Sequence, residues 1–399
     1  MPFKKFQADY LFTGTEMLPG NHVLILNEHD YVEEIIIKEN AGDDAQEFNG
    51  LISPGFVNCH CHLELSHMKG LIPEKTGLVD FVFKVVAERH FDDEEILEAI
   101  AKAEDEMFAN GIVAAGDICN NTLTLSQKLK SRLSYYNFIE VSGWLPQIAE
   151  QRFQLSQKIV DQFNQLPTTN YQLPTALVPH APYSVSDELW NLIQPFFTNK
   201  TISIHNQETS FEDELFIKNQ GDFIRMYEMM KIDNSFFTPT GKSSLQSYFH
   251  KLSNAKNIIL VHNTFTSQTD IDFANRQSNN SNQKLFFCIC ANANLYIEDK
   301  MPPIELLRKN YCNIVIGTDS YASNKSLNML DEIKTILHHS SEKITASEIL
   351  QWATINGAKA LQMEHLLGSF DKGKQPGVML IDKLANANIT AESSVTRLL

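Results

Sequence analysis

The chain has 399 residues, enough for one large domain and a small one, and its 43% hydrophobic and 21% charged content is globular rather than disordered. A formal net charge of −16 speaks against a nucleic-acid backbone or an anionic membrane surface as partner. Six cysteines in so long a chain make no disulfide framework, no run reaches the ~18 apolar residues of a membrane helix, and Met1 to Tyr10 lacks a signal peptide's apolar core, so the expected location is the cytoplasm.

Residues 1 to about 55 read as short strands and turns, with Val23–Leu26 and Val32–Ile37 the clearest. From residue 56 the rhythm changes to apolar strand-like runs, each followed by a helix-like segment, the alternation of parallel βα units. Eight such runs are legible: Phe56–His62, Ile112–Asp117, Tyr136–Glu140, Ala176–His180, Ile202–His205, Ile258–His262, Leu285–Cys290 and Ile314–Asp319. Between them, Asp92 to Asn110 places Ile96, Leu97, Ile100, Ala103, Met107 and Phe108 on one stripe, with Gly111 as a stop. Gln277 to Gln283 reads as a polar loop of low complexity, and Thr345 to Leu361 as a helix capped at Thr345 or Ser347. After about 365, glycines and Pro376 punctuate short strand-like runs such as Val378–Ile381. The expected architecture is α/β: a (β/α)8 TIM barrel over 56–364, flanked by a small β-sandwich domain made from 1–55 plus 365–399.

The chemistry-bearing residues sit at the ends of those runs. A strand sends residues i and i+2 to the same face, so His60 and His62 both point inward, a half-site for a borderline metal. His205 ends the fifth run, His262 the sixth and Asp319 the eighth. In a barrel of parallel strands these ends form one ring, the face on which active sites are built. Residues as much as 259 positions apart (319 − 60) would thus converge. Glu208, three residues after His205, lies where the chain turns over the ring; a solvated loop acid is the alternative, since Glu212, Asp213 and Glu214 follow. His180 ends the fourth run and serves either as a substrate contact or as a structural hydrogen-bonding group. Glu64 either enters the cavity or partners a neighbouring side chain. His62-x-Glu64 imitates one kind of zinc motif, but no Pro-Cys-x-x-Cys follows. Gly241-Lys242-Ser243 lacks the earlier glycine of a phosphate loop, and Cys288-x-Cys290 has no second pair.

With these residues stands a longer pattern: Pro54-Gly55-Phe56-Val57-Asn58-Cys59-His60-Cys61-His62, His205 with Glu208, His262, Gly317-Thr318-Asp319-Ser320, and Ala353-Thr354-Ile355-Asn356-Gly357-Ala358 before Leu367-Gly368-Ser369. It resembles the amidohydrolase superfamily over essentially the whole chain. Within that superfamily it is most similar to the branch of aminohydrolases and chlorohydrolases. His62-Leu63-Glu64-Leu65-Ser66 and Gly317 to Asn324 bring it nearest to aminofutalosine-deaminase-like proteins. The resemblance implies one divalent metal on His60, His62, His205 and Asp319, with zinc first and iron or manganese also fitting. It implies Glu208, His262 and Asp319 as catalytic groups, and His180, Glu64 and Asn294 as substrate contacts. The reaction implied is hydrolytic deamination of a small amino-substituted heterocycle or purine nucleoside derivative, by an enzyme that is often a homo-oligomer. Hydrolytic dechlorination and a catalytically silent scaffold are the alternatives. One departure bears on substrate: where the branch carries His-Cys-Pro-x-Ser-Asn, this chain has Ile289-Cys290-Ala291-Asn292-Ala293-Asn294.

Overall fold

The computed structural model describes residues 3–165 and 173–399. Its strands, in chain order, are β1 (Lys4–Phe12), β2 (Met17–Pro19), β3 (His22–Leu26), β4 (Val32–Ile37), β5 (Gln46–Ser53), β6 (Phe56–Cys61), β7 (Ile112–Cys119), β8 (Ser134–Val141), β9 (Thr175–Pro179), β10 (Thr201–Asn206), β11 (Asn257–His262), β12 (Lys284–Ile289), β13 (Asn313–Ile316), β14 (Met379–Asp382) and β15 (Ser394–Arg397). The two ends of the chain share one mixed seven-stranded sheet, because β14 from the C-terminal part pairs antiparallel with β5 from the N-terminal part. β1 and the short C-terminal strand β15 have no counterpart in the sequence reading.

The eight central strands form two parallel four-stranded sheets, β6-β7-β8-β9 and β10-β11-β12-β13, each strand followed by helical segments. Every residue of β6, β7, β10 and β11 is buried, as expected of parallel strands covered on both faces. The sheets approach each other along two seams. At one, His205 N donates to His180 O over 3.0 Å. At the other, Thr318 N and Asp319 N both donate to His60 O, at 3.1 and 3.0 Å. This second approach requires Gly317: a Cβ there would lie 2.9 Å from both Cβ and O of His60.

Two expectations are corrected. Residues 277–280 belong to the helix Gln268–Asn280, whose capping box (Ser267 with Asp270) and buried Ile271, Ala274 and Ser278 outweigh its polar composition. The single helix expected over Thr345 to Leu361 is two, Ala346–Ala353 and Ile355–Ala360, broken at Thr354 where φ is −128° and ψ −91°. The cap is Thr345, whose side chain accepts from Glu348 N.

Candidate metal and catalytic centre

The strand ends bring the predicted histidines together. His60 and His62, two residues apart on β6, face each other by their Nε2 atoms at 3.2 Å. Asp319 Oδ1 lies 3.5 Å from each of those nitrogens. A hydrogen bond accounts for one such approach but not for a carboxylate equidistant from two imidazoles. Ligands ~2.0–2.1 Å from a tetrahedral ion stand about 3.3 Å apart, which matches all three edges. His205 and His262 complete the cluster, with ring centroids 5.0 and 5.9 Å from His60. Ligand atoms of His60, His62 and Asp319 lie within 4.8 Å of one another, as do those of His60, His205 and His262, so His60 is common to both sets. His205 Nδ1 is committed to His180 O at 2.8 Å, which fixes the ring and leaves Nε2 free. Burial holds His60 and His62 well below the usual imidazole range, in the neutral form that carries a lone pair. The donor set therefore fits a divalent ion.

The backbone is strained at the same level. Gln207 has φ 44°, His262 φ 74° and Asp319 φ 55°, all in the left-handed region that non-glycine residues rarely occupy. At each place the backbone thus leaves its strand abruptly, and His262 and Asp319 line the cavity.

Around the cluster opens a cavity of about 540 Å³, lined by His62, His205, His262 and Asp319 at one end. Its wall carries Glu64, Glu140, His180 and Glu208, and its roof is apolar, from Phe81, Val82 and Val85 to Trp144, Tyr227 and Met230. Glu208 is buried, and burial followed by the charge of Asp319 pushes its carboxyl well above the usual range. Its Oε1 lies 3.7 Å from His262 Nε2. His262 is pushed down to about 3, chiefly by burial. Asp319 is disfavoured as an anion by burial, but His62, His262 and the hydroxyl of Ser323, 2.5 Å away, outweigh this and keep it below the usual range.

The profile of the amidohydrolase family matches residues 51–397, the span that holds every one of these groups. The chain belongs to the amidohydrolase family. Among curated relatives of this amidohydrolase is a 5-methylthioadenosine/S-adenosylhomocysteine deaminase from Teredinibacter turnerae, 27% identical over 348 residues, which are 83% of this chain and 72% of that protein. Among solved structures, the Helicobacter pylori aminofutalosine deaminase in complex with methylthio-coformycin superposes with a TM-score of 0.80 at 21% identity, covering 96% of this chain and 93% of that one. An adenosine deaminase from Xanthomonas campestris with bound zinc gives 0.71 at 19% identity, over 95% and 84%. At these identities the structural matches show a shared fold.

The expected substrate contacts fall in different places in the amidohydrolase. Glu64 lines the cavity, accepts from Asn120 N at 2.9 Å and pairs with Arg89 at 3.3 Å; burial raises its carboxyl to about 7. His180 lines it too, with Nδ1 2.7 Å from Ser184 Oγ, and burial lowers its imidazole to about 4. Asn294 does not reach the cavity: it is fully buried behind His262 and donates to Thr264 Oγ1. Sequence reasoning missed Glu140, Arg89 and Trp144. Glu140 stands near the end of β8 much as His180 follows β9, so the rule that singled out the strand-end histidines would have found it. Arg89 and Trp144 come from connecting segments with no periodic signal.

Proposed function

We propose that this amidohydrolase hydrolytically deaminates a purine nucleoside derivative. The observation that carries the reading is that burial raises the carboxyl of Glu208 well above its usual range while His62, His262 and Ser323 hold that of Asp319 below it, both lining one cavity with a cluster of imidazoles. Two carboxyl groups pushed in opposite directions are what acid and base roles in one reaction need. In such a reaction oxygen from water bonds to the ring carbon, the C–N bond breaks, and ammonia leaves. Glu208 gives a proton to a ring nitrogen of the substrate and is reprotonated from the hydroxyl of the adduct. Asp319 accepts a proton of the attacking water and passes it to the amino group, which leaves as ammonia; neutral His262 donates a hydrogen bond to the oxygen that arrives. His60, His62, His205 and Asp319 would hold one divalent ion, with zinc preferred over iron or manganese for three imidazoles and a carboxylate. When bound, the ion supplies Lewis acidity that makes water nucleophilic near neutral pH.

Curated relatives named as deaminases of 5-methylthioadenosine/S-adenosylhomocysteine and of 5′-deoxyadenosine support the substrate class. Glu64 and His180 are proposed as its polar contacts. The architecture proposed with this function is a (β/α)8 barrel over 56–364, to which the two seams contribute closure, and a small β-sandwich of 1–55 with 365–399. No helix among the described residues is long and apolar enough to cross a membrane, and a cytoplasmic enzyme on a small heterocyclic substrate is proposed.

The deciding experiment is ammonia release by zinc-loaded protein from 5′-methylthioadenosine, S-adenosylhomocysteine, 5′-deoxyadenosine and aminofutalosine. Glu208→Gln is expected to lower turnover by ~10²–10⁴ while keeping its metal, and His205→Ala to lose the metal. Full turnover in Glu208→Gln, or stoichiometric metal in His205→Ala, would refute the corresponding role.

A further inference from the structure

No hydrogen bond from another described residue holds the carboxyl of Glu208, and His262 Nε2 lies 3.7 Å from its Oε1. Its position must therefore come from its own backbone. The residue before it, Gln207, is fully buried and adopts φ 44°. Every polar atom of Gln207 is engaged, and together they reach three pieces of the fold. Its N donates to Glu212 Oε1 at 3.0 Å, and its O accepts from Phe265 N at 2.9 Å. Its side-chain Nε2 donates to Asp213 Oδ1 and Asp270 Oδ2, each at 3.1 Å. Its Oε1 accepts from Thr266 Oγ1 at 2.8 Å.

Those partners come from three places: the helix Ser210–Lys218 after β10, the loop 263–266 that follows His262, and the first turn of the helix Gln268–Asn280. A buried amide that binds all three fixes the loop carrying Glu208 against the loop after His262. An amide is also the side chain that suits this position. A third carboxylate would repel Asp213 and Asp270, and an apolar group would take one hydrogen bond from each of those carboxylates and from Thr266, leaving Asp213 with Ser244 N and Asp270 with Ser267 and Ser243.

We propose that Gln207 is the positioning residue for Glu208: it holds the left-handed turn that aims the acid into the cavity and sets its distance from His262. The inference rests on the deaminase reading, in which Glu208 is the proton donor. It goes beyond that reading by assigning the acid's alignment to a residue that touches neither substrate nor metal.

The test is a double-mutant cycle on the zinc-loaded full chain. Gln207→Met keeps the volume and removes the amide. Its kcat is expected to fall about 10–100-fold, the range for loss of a supporting contact, with KM changed far less and metal content unchanged. In the Glu208→Gln background the same substitution should cost almost nothing further, because there is no acid left to misplace. Thr266→Val, which removes one of the contacts and leaves Gln207 in place, should give a smaller loss of kcat that also vanishes in that background. Should Gln207→Met fail to fold, the Thr266→Val cycle alone decides. Losses that multiply in the Glu208→Gln background, or full kcat in both single variants, would overturn the positioning role. Full activity in Glu208→Gln alone would instead remove the deaminase mechanism on which it rests.

Discussion

The two parallel sheets support their strand ends by different chemistry. Under His60 and His62, the first sheet buries an ion pair: Lys128 Nζ lies 2.6 Å from Asp117 Oδ2 and also donates to Asn137 Oδ1 at 2.7 Å, with all three side chains out of solvent. Asp117 Oδ1 then accepts from Leu63 N, the residue after His62, at 2.8 Å. The second sheet does the same work with neutral amides. Asn206 donates to Asn263 Oδ1 at 3.0 Å and accepts from Tyr248 at 2.7 Å; Asn263 donates to Leu260 O; Asn324 donates to Thr318 O at 2.8 Å. Burying an ion pair costs desolvation that its attraction barely repays, so such a pair is fragile to the loss of one partner. Amides carry no net charge and lose only the hydrogen bonds that a substitution removes. The first sheet should therefore respond to substitution as an all-or-none unit and the second by increments.

The largest effect expected from that contrast is in Lys128→Met, which strands the Asp117 carboxylate. Urea denaturation should show a loss of about 3–5 kcal/mol, and adding Asp117→Asn, which keeps the acceptor for Leu63 N, should restore most of it. A double variant no better than the single one would remove the contrast. Next in size is Asn263→Ala on the other sheet, expected to cost about 1–3 kcal/mol in the same assay through unpaired acceptors and an alanine forced to φ 58°.

The third effect, read as a slope with pH and not as a single loss, concerns Glu212, whose Oε1 accepts from Gln207 N and Ser244 Oγ while its Oε2 has no partner among the described residues. Burial raises this carboxyl from 4.5 to about 8. The folded state then binds a proton that the unfolded state releases. The stability this contributes is whole below pH 4.5 and is lost as pH rises through about 8. Glu212→Gln, with an amide that needs no proton, should match the parent at low pH and lose less stability toward pH 9. The difference should be no steeper than about 1.4 kcal/mol per pH unit. Parallel stability curves from pH 5 to 9 would show that the group does not titrate in that window.

The eight central strands were legible because parallel strands covered on both faces must be apolar throughout, and the abrupt polar residue at each end marks where they stop. The last run was read too long: β13 ends at Ile316, because Gly317 must pack against His60 and Asp319 turns left-handed. Lys4–Phe12 escaped notice since its lysines, glutamine and aspartate mask an interior strand of alternating burial. Of the site, residues whose chemistry is rare at strand ends, the histidines and Asp319, announced themselves. Glu64 and Glu208 were visible as acids near the ring, but sequence alone does not separate them from neighbours such as Glu212, buried outside the cavity lining, or Glu214, which is exposed. Gln207 carried no signal, and Asn294 was marked only through the family resemblance, since an amide's role depends on neighbours that sequence leaves far apart.

The meeting of His60 with Thr318 and Asp319 also bears on how the protein is made. A ribosome has finished the first imidazole pair long before it reaches the carboxylate 259 positions later (319 − 60), and β14 comes later still. Until then a growing chain carries the two imidazoles and the first four strands without the backbone that later donates to His60 O. Closure across so long a segment is slow, which leaves the nascent half open to wrong metals and wrong strand partners during synthesis.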